Sequence, residues 1–125
     1  MYRVIIAGSR RFADYALLCR VMDKQLSEVE DDITIVCGMA RGADALGERY
    51  AIEKGYCIDR HPAEWDKYGK SAGYRRNEEM AKCADALVAF WDGASKGTKH
   101  MMSTAKRYGL DTLLYMYDPQ QSDEK

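Results

Sequence analysis

Five short apolar runs recur along the chain, YRVIIAG, ITIVCG, YCIDRH, DALVAFW and DTLLYMY, with stretches of helical spacing between them. They are mostly filled by β-branched, aromatic and small apolar residues without polar alternation, so both faces of each strand need apolar cover. After the first run, Asp14 is placed to cap a helix that carries Leu18, Met22, Leu26 and Val29 on one face. GADALGERYAIEKG repeats the pattern, with Ala43, Leu46, Gly47, Tyr50 and Ala51 inward and Gly55 as its stop. The irregular segment PAEWDKYGKSAG leads to a short helix expected from about Tyr74 to Cys83. A last helix is expected from Thr98 to Tyr108, with Met101, Met102 and Ala105 inward and Gly109 ending it. Strands alternating with such helices dictate an α/β fold, a Rossmann-like three-layer sandwich around a mostly parallel five-stranded sheet. No repeat or linker interrupts the pattern, so 1–118 reads as one domain and 119–125 as a polar C-terminal tail.

With 46% hydrophobic and 31% charged residues the chain has a globular balance, and its net charge of −1 gives no bulk field toward nucleic acid or anionic lipid. An anion site must therefore be built locally. No apolar run approaches the roughly 20 residues of a membrane span, and the N-terminal run is too short for a secretory signal. A cytoplasmic location is the expectation. Cys19, Cys37, Cys57 and Cys83 form no CxxC pair and lie in apolar stretches, so they read as small core residues in a reducing compartment. His61 and His100 are far apart in the sequence. Neither a metal nor a required cofactor is expected.

In an open parallel sheet, ligands sit outside the carboxyl ends of the strands. The segments at those ends are GSRRF, GMARGAD, PAEWDKYGKSAGYRRN and WDGASKGT. Those at the other end, EVEDD, EKGY, AKCAD and RYGLD, are plain polar turns. Glycines, hydroxyls and arginines thus crowd one rim of the sheet. Gly8, Gly38, Gly42, Gly93 and Gly97 let the backbone turn its N–H groups toward an anion. Ser9, Ser95 and Thr98 offer hydroxyls, and Arg10, Arg41 and Arg76 can grip phosphate. Trp65 offers a stacking face; Asp92 and Glu64 can accept from ribose hydroxyls.

The segments IAGSRRF, ARGAD…GERYA, PAEWDKYGKSAGYRRNEEM and ADALVAFWDGASKGTKHM together resemble the YspA/YpsA-related branch of the SLOG superfamily, which also holds the Smf/DprA and LOG proteins. The resemblance implies a nucleotide-binding Rossmann-like domain, often a sensor or processor of nucleotide-derived ligands. DGASKGT is similar to the phosphate-binding PGGxGT loop of the LOG phosphoribohydrolases, and RRNEEM aligns with their RKxxM segment, which puts Arg76 at their functional arginine. Their catalytic glutamate, three residues beyond the loop threonine, is replaced here by Met101. The binding site carries over; the activity lacks its acid/base residue.

Arg76 and Asn77 therefore read as ligand contacts, with Arg75 divided between ligand and surface. Asp44 reads as a cap of the second helix or a ligand contact, and Trp65 as a stacking lid or a dimer contact. Trp91 is expected in the core, His100 in solvent, Met101 and Met102 in the core or an interface, and Lys70 and Lys96 beside phosphate or in solvent. The leading function is binding of a nucleotide or nucleotide-derived phosphorylated small molecule by a monomer or homodimer. The alternatives are a nucleotide hydrolase using Asp92 or Glu64, and a weak single-strand nucleic-acid binder, which the balanced charge disfavours.

Overall fold

A computed structural model describes residues 1–118, and the expected tail, 119–125, lies outside the described residues. Strands β1 (Tyr2–Gly8), β2 (Ile33–Cys37), β3 (Cys57–Arg60), β4 (Ala86–Trp91) and β5 (Asp111–Met116) form one sheet in the order β3-β2-β1-β4-β5. Every pairing is parallel. The central strand β1 has Val4 to Ala7 buried, and its neighbour β4 has Ala86 to Phe90 buried. The alternating side chains of β1 found two cores. Val4 and Ile6 pack with Phe12, Leu18, Met22 and Tyr50 on the side of helices α1 (Tyr15–Leu26) and α2 (Ala43–Lys54). Ile5 and Ala7 pack with Met80, Ala81, Met101 and Ala105 on the side of helices α4 (Ala72–Cys83) and α5 (Lys96–Arg107). Helices on both faces complete the expected three layers.

Local chemistry sets the helix ends. The Asp14 carboxylate accepts from the Leu17 amide at 3.0 Å and caps α1, while Gly55 ends α2 in a left-handed conformation. Val29 lies beyond the end of α1 yet still packs on the core. The segment expected to be irregular contains a four-residue helix, α3 (Trp65–Tyr68), and a 3-10 turn at Gly69–Ser71. Helix α4 then begins at Ala72, two residues earlier than periodicity indicated, and α5 begins at Lys96 rather than Thr98.

Strands after β1 step one way along the sheet, and β4 returns to its other side. The connections leaving β1 and β4 therefore diverge, opening a crevice at their carboxyl ends. None of the described helices is long and apolar enough to cross a membrane.

Candidate functional site

A cavity of about 360 Å³ occupies that crevice, a volume suited to a small ligand. Gly8 and Arg10 line it from the end of β1, and Ser95, Lys96, Gly97 and Thr98 from the start of α5. Gly73, Arg76, Asn77 and Met80 line it from one face of α4, and Trp65 and Lys70 from the segment before. A second hollow of about 320 Å³ shares Arg10, Trp65 and Arg76 and adds Gly38 and Arg41. Gly8, Arg10, Gly38, Arg41, Trp65, Arg76, Asn77, Ser95, Gly97 and Thr98 thus converge from four connections, whereas Ser9, Gly42, Glu64, Asp92 and Gly93 line neither hollow.

The start of α5 brings an uncapped helix end to the cavity. The Asp92 carboxylate accepts from the amides of Ala94 at 2.9 Å and Ser95 at 2.8 Å, folding the loop into a turn. These bonds, Ala94's first, hold the Asp92 carboxyl below its ordinary range. The indole of Trp91 donates to the Ser95 carbonyl at 3.0 Å, so this half-buried residue pins the loop rather than filling the core. No side chain caps α5. Ser95 to Thr98 at its start line the cavity, and a helix dipole at such an end favours an anion by about 0.3–1 kcal/mol, and up to roughly 2 when partly buried.

Arg76 crosses the floor of the site. Its Nη1 donates to the Gly38 carbonyl, and its Nε donates to Asn77 Oδ1 at 3.1 Å. A Cβ at Gly38 would lie 2.6 Å from Arg76 Nη1 and 2.9 Å from Asp44 Oδ2. Guanidinium and carboxylate therefore both crowd the same stretch of backbone, where glycine leaves them room. Burial depresses the Arg76 pKa, opposed by the Asp44 charge and reinforced by repulsion from Arg10. An anion beside the guanidinium would oppose both by favouring its charged form.

Asp44 is the acidic side chain lining the main cavity, and it is 6% exposed. It accepts from the Ala40 amide at 3.4 Å, a long bond, and does not serve as the N-cap, which is Gly42. Burial pushes its carboxyl up to about 6 against the pull of Arg76. Sequence reasoning weighed it as a helix cap; the missed signal was its place, with Gly47 and Ala51, on the buried stripe of α2.

Several predicted residues act on the loops themselves. Ser9 is buried and its Oγ accepts from the Asp92 amide at 3.1 Å, tying the β1 loop to the β4 loop. Gly42 holds φ +75°, with its Cα so near the Ser9 carbonyl that a Cβ would sit 2.3 Å from that oxygen. Gly93 takes φ +87° in the Asp92 turn. Glu64 is exposed, stands at the N-cap position of α3, and lines neither hollow.

The remaining side chains divide clearly. Trp65 is 52% exposed, borders both hollows, and has no core role. Arg75 turns away, its guanidinium 4.2 Å from the Tyr68 ring centroid. Met101 is buried in the core while also touching the cavity. His100, expected in solvent, is half-buried instead: it stacks on Tyr74 at 4.1 Å and meets Asn77 Nδ2 at 3.1 Å, and burial lowers its pKa. Cys37 is buried as expected, whereas Cys57 is exposed because β3 is an edge strand.

The family model described as "YspA, cpYpsA-related SLOG family" matches residues 2–68. The chain is also similar to "Gene 61 protein" of Mycobacterium phage D29, with 35% identity over 119 residues that cover 90% of this chain and 95% of that one. The glycine- and arginine-bearing connections after β1 and β2 fall inside the matched region, and the chain belongs to the YspA, cpYpsA-related SLOG family.

Proposed function

We propose that the protein binds a nucleotide or a nucleotide-derived phosphorylated small molecule in the crevice between β1 and β4, as a sensor or processor of that ligand. The observation that carries this reading is the uncapped start of α5 opening on a cavity that Arg10, Arg76, Lys70 and Lys96 also line. A phosphate there meets helix amides and a half-buried guanidinium at once. The exposed face of Trp65 at the cavity edge suits a base. Free thiols at all four cysteines support a reducing, cytoplasmic setting.

A thermal-shift panel of nucleoside mono- and diphosphates, cyclic nucleotides and ADP-ribose tests it. A ligand at 100 times its Kd adds about 2.7 kcal/mol of stability, and Arg76→Ala should abolish the shift. No shift across the panel would sink the reading.

A hydrolase reading is favoured by one observation: Asp44, not Asp92 or Glu64, is the carboxyl that borders the cavity. Release of free base from nucleoside monophosphates, lost in Asp44→Asn, would support it; binding without turnover leaves a sensor.

A further inference from the structure

We propose that Asp59, His61 and Cys83 bind a divalent transition metal of the zinc class, at a site separate from the candidate nucleotide crevice. Asp59 lies on the edge strand β3, His61 follows it, and Cys83 closes α4. His61 is set in place by its amide, which donates to the Cys37 carbonyl at 2.8 Å. Asp59 Oδ2 and His61 Nε2 are 3.0 Å apart, Cys83 Sγ and Asp59 Oδ2 3.9 Å, and Cys83 Sγ and His61 Nε2 4.0 Å. Tetrahedral zinc, with bonds of about 2.0–2.3 Å to these atom types, requires ligand separations of about 3.4–3.6 Å. Shifts of a few tenths of an ångström complete the triangle. The fourth position is left for water.

The surrounding hydrogen bonds favour a cation at its centre. His61 Nδ1 lies 3.3 Å from Glu79 Oε1, which leaves Nε2 directed at Asp59 Oδ2 3.0 Å away. Cys83 Sγ, which also lies 3.4 Å from the Met80 carbonyl, brings a sulfur to 3.9–4.0 Å of both of those atoms. A zinc-class ion takes all three, because thiolate, imidazole and carboxylate are its ordinary ligands. Glu79 matches the outer carboxylate that orients metal-bound histidines.

Arg3 completes the shell. Its Nη2 donates to Asp59 Oδ2 and lies 3.6 Å from Cys83 Sγ, while its Nε donates to the Cys83 carbonyl at 2.7 Å. With the metal bound, one arginine and a divalent ion balance Asp59, Glu79 and the Cys83 thiolate. The Cys83 proton leaves to solvent as the metal–sulfur bond forms. Asp59 and His61 are 32% and 17% exposed in their side chains, open enough for an ion to enter.

Cobalt(II) titration of the metal-free protein tests the site. One equivalent should produce the thiolate-to-cobalt charge-transfer band, and zinc should displace it. Cys83→Ser should abolish the band, and Glu79→Gln should weaken affinity about 10–100-fold. Cys57→Ser, which removes the exposed thiol, should leave both unchanged. Circular dichroism of each metal-free variant confirms that it is folded. Absence of the band, its persistence in Cys83→Ser, or its loss in Cys57→Ser would overturn the proposal.

Discussion

Gly38→Ala isolates the contact on which the site's charge arrangement depends. The new Cβ would fall 2.6 Å from Arg76 Nη1, so the guanidinium must withdraw about 0.8 Å to reach ordinary contact at 3.4 Å. That movement weakens its bond to the Gly38 carbonyl, a charge-assisted interaction worth about 1.5–3 kcal/mol when intact, and the same Cβ crowds Asp44 Oδ2 at 2.9 Å. Alanine returns about 0.4–1 kcal/mol by restricting the unfolded chain, and Gly38 is not among the positive-φ glycines, so no backbone strain is added. The net expectation is a loss of about 1–2 kcal/mol, or roughly 3–8 °C in Tm. Urea denaturation reads it directly. In an Arg76→Ala background the cost should fall by about 1 kcal/mol without vanishing, because Asp44 Oδ2 remains 2.9 Å from the Cβ. Equal costs in the two backgrounds would refute the contact between Arg76 and the β2 loop. Nucleotide affinity should fall about tenfold in Gly38→Ala if one contact of about 1.4 kcal/mol is lost.

Burial raises the Asp44 carboxyl from 3.8 to about 6, so the folded chain holds this proton more tightly than the unfolded one. Its stabilising contribution is complete below about pH 4 and is lost as pH rises through 6, a span of roughly 3 kcal/mol. Asp44→Asn should flatten that part of the stability-versus-pH curve; an unchanged slope contradicts the assignment. A Cβ on Gly47 would meet Ile6 Cγ2 at 2.8 Å, so Gly47→Ala should destabilise the fold. Overpacking of about 1–3 kcal/mol outweighs a helix-propensity gain of about 1, and a raised Tm would show that α2 yields freely. Ser9→Ala leaves the Asp92 amide without its partner and should cost about 1–2 kcal/mol, with faster hydrogen exchange at that amide.

The order of elements and the rim that carries the candidate site were legible because both rest on local signals. Apolar runs without alternation betray strands covered on two faces at β1, β2 and β4, but the edge strands β3 and β5 carry similar runs and have no buried residue. Glycine, hydroxyl and arginine clusters mark loops. The start of α4 was obscured because Ser71 makes no capping bond and Gly69 and Gly73 read as turn residues. The start of α5 was hidden by Asp92, whose carboxylate organises the turn before the helix. Asp92 and Glu64 drew attention as loop carboxylates, yet loop position does not reveal where a side chain points. Asp44 was the reverse case, an acid on an apolar stripe whose partner Arg76 lies 32 positions later in the sequence. The stack of Tyr74 on His100 joins α4 to α5 and leaves no trace in either helix's periodicity.

An amide NMR titration with a nucleoside monophosphate tests the phosphate cradle most directly. Saturable shifts are expected at the amides of Lys96, Gly97 and Thr98 and at Gly8 and Gly38, with a change at the Trp65 indole. Shifts confined to the β5 edge, or none at concentrations that saturate ordinary nucleotide sites, would contradict it.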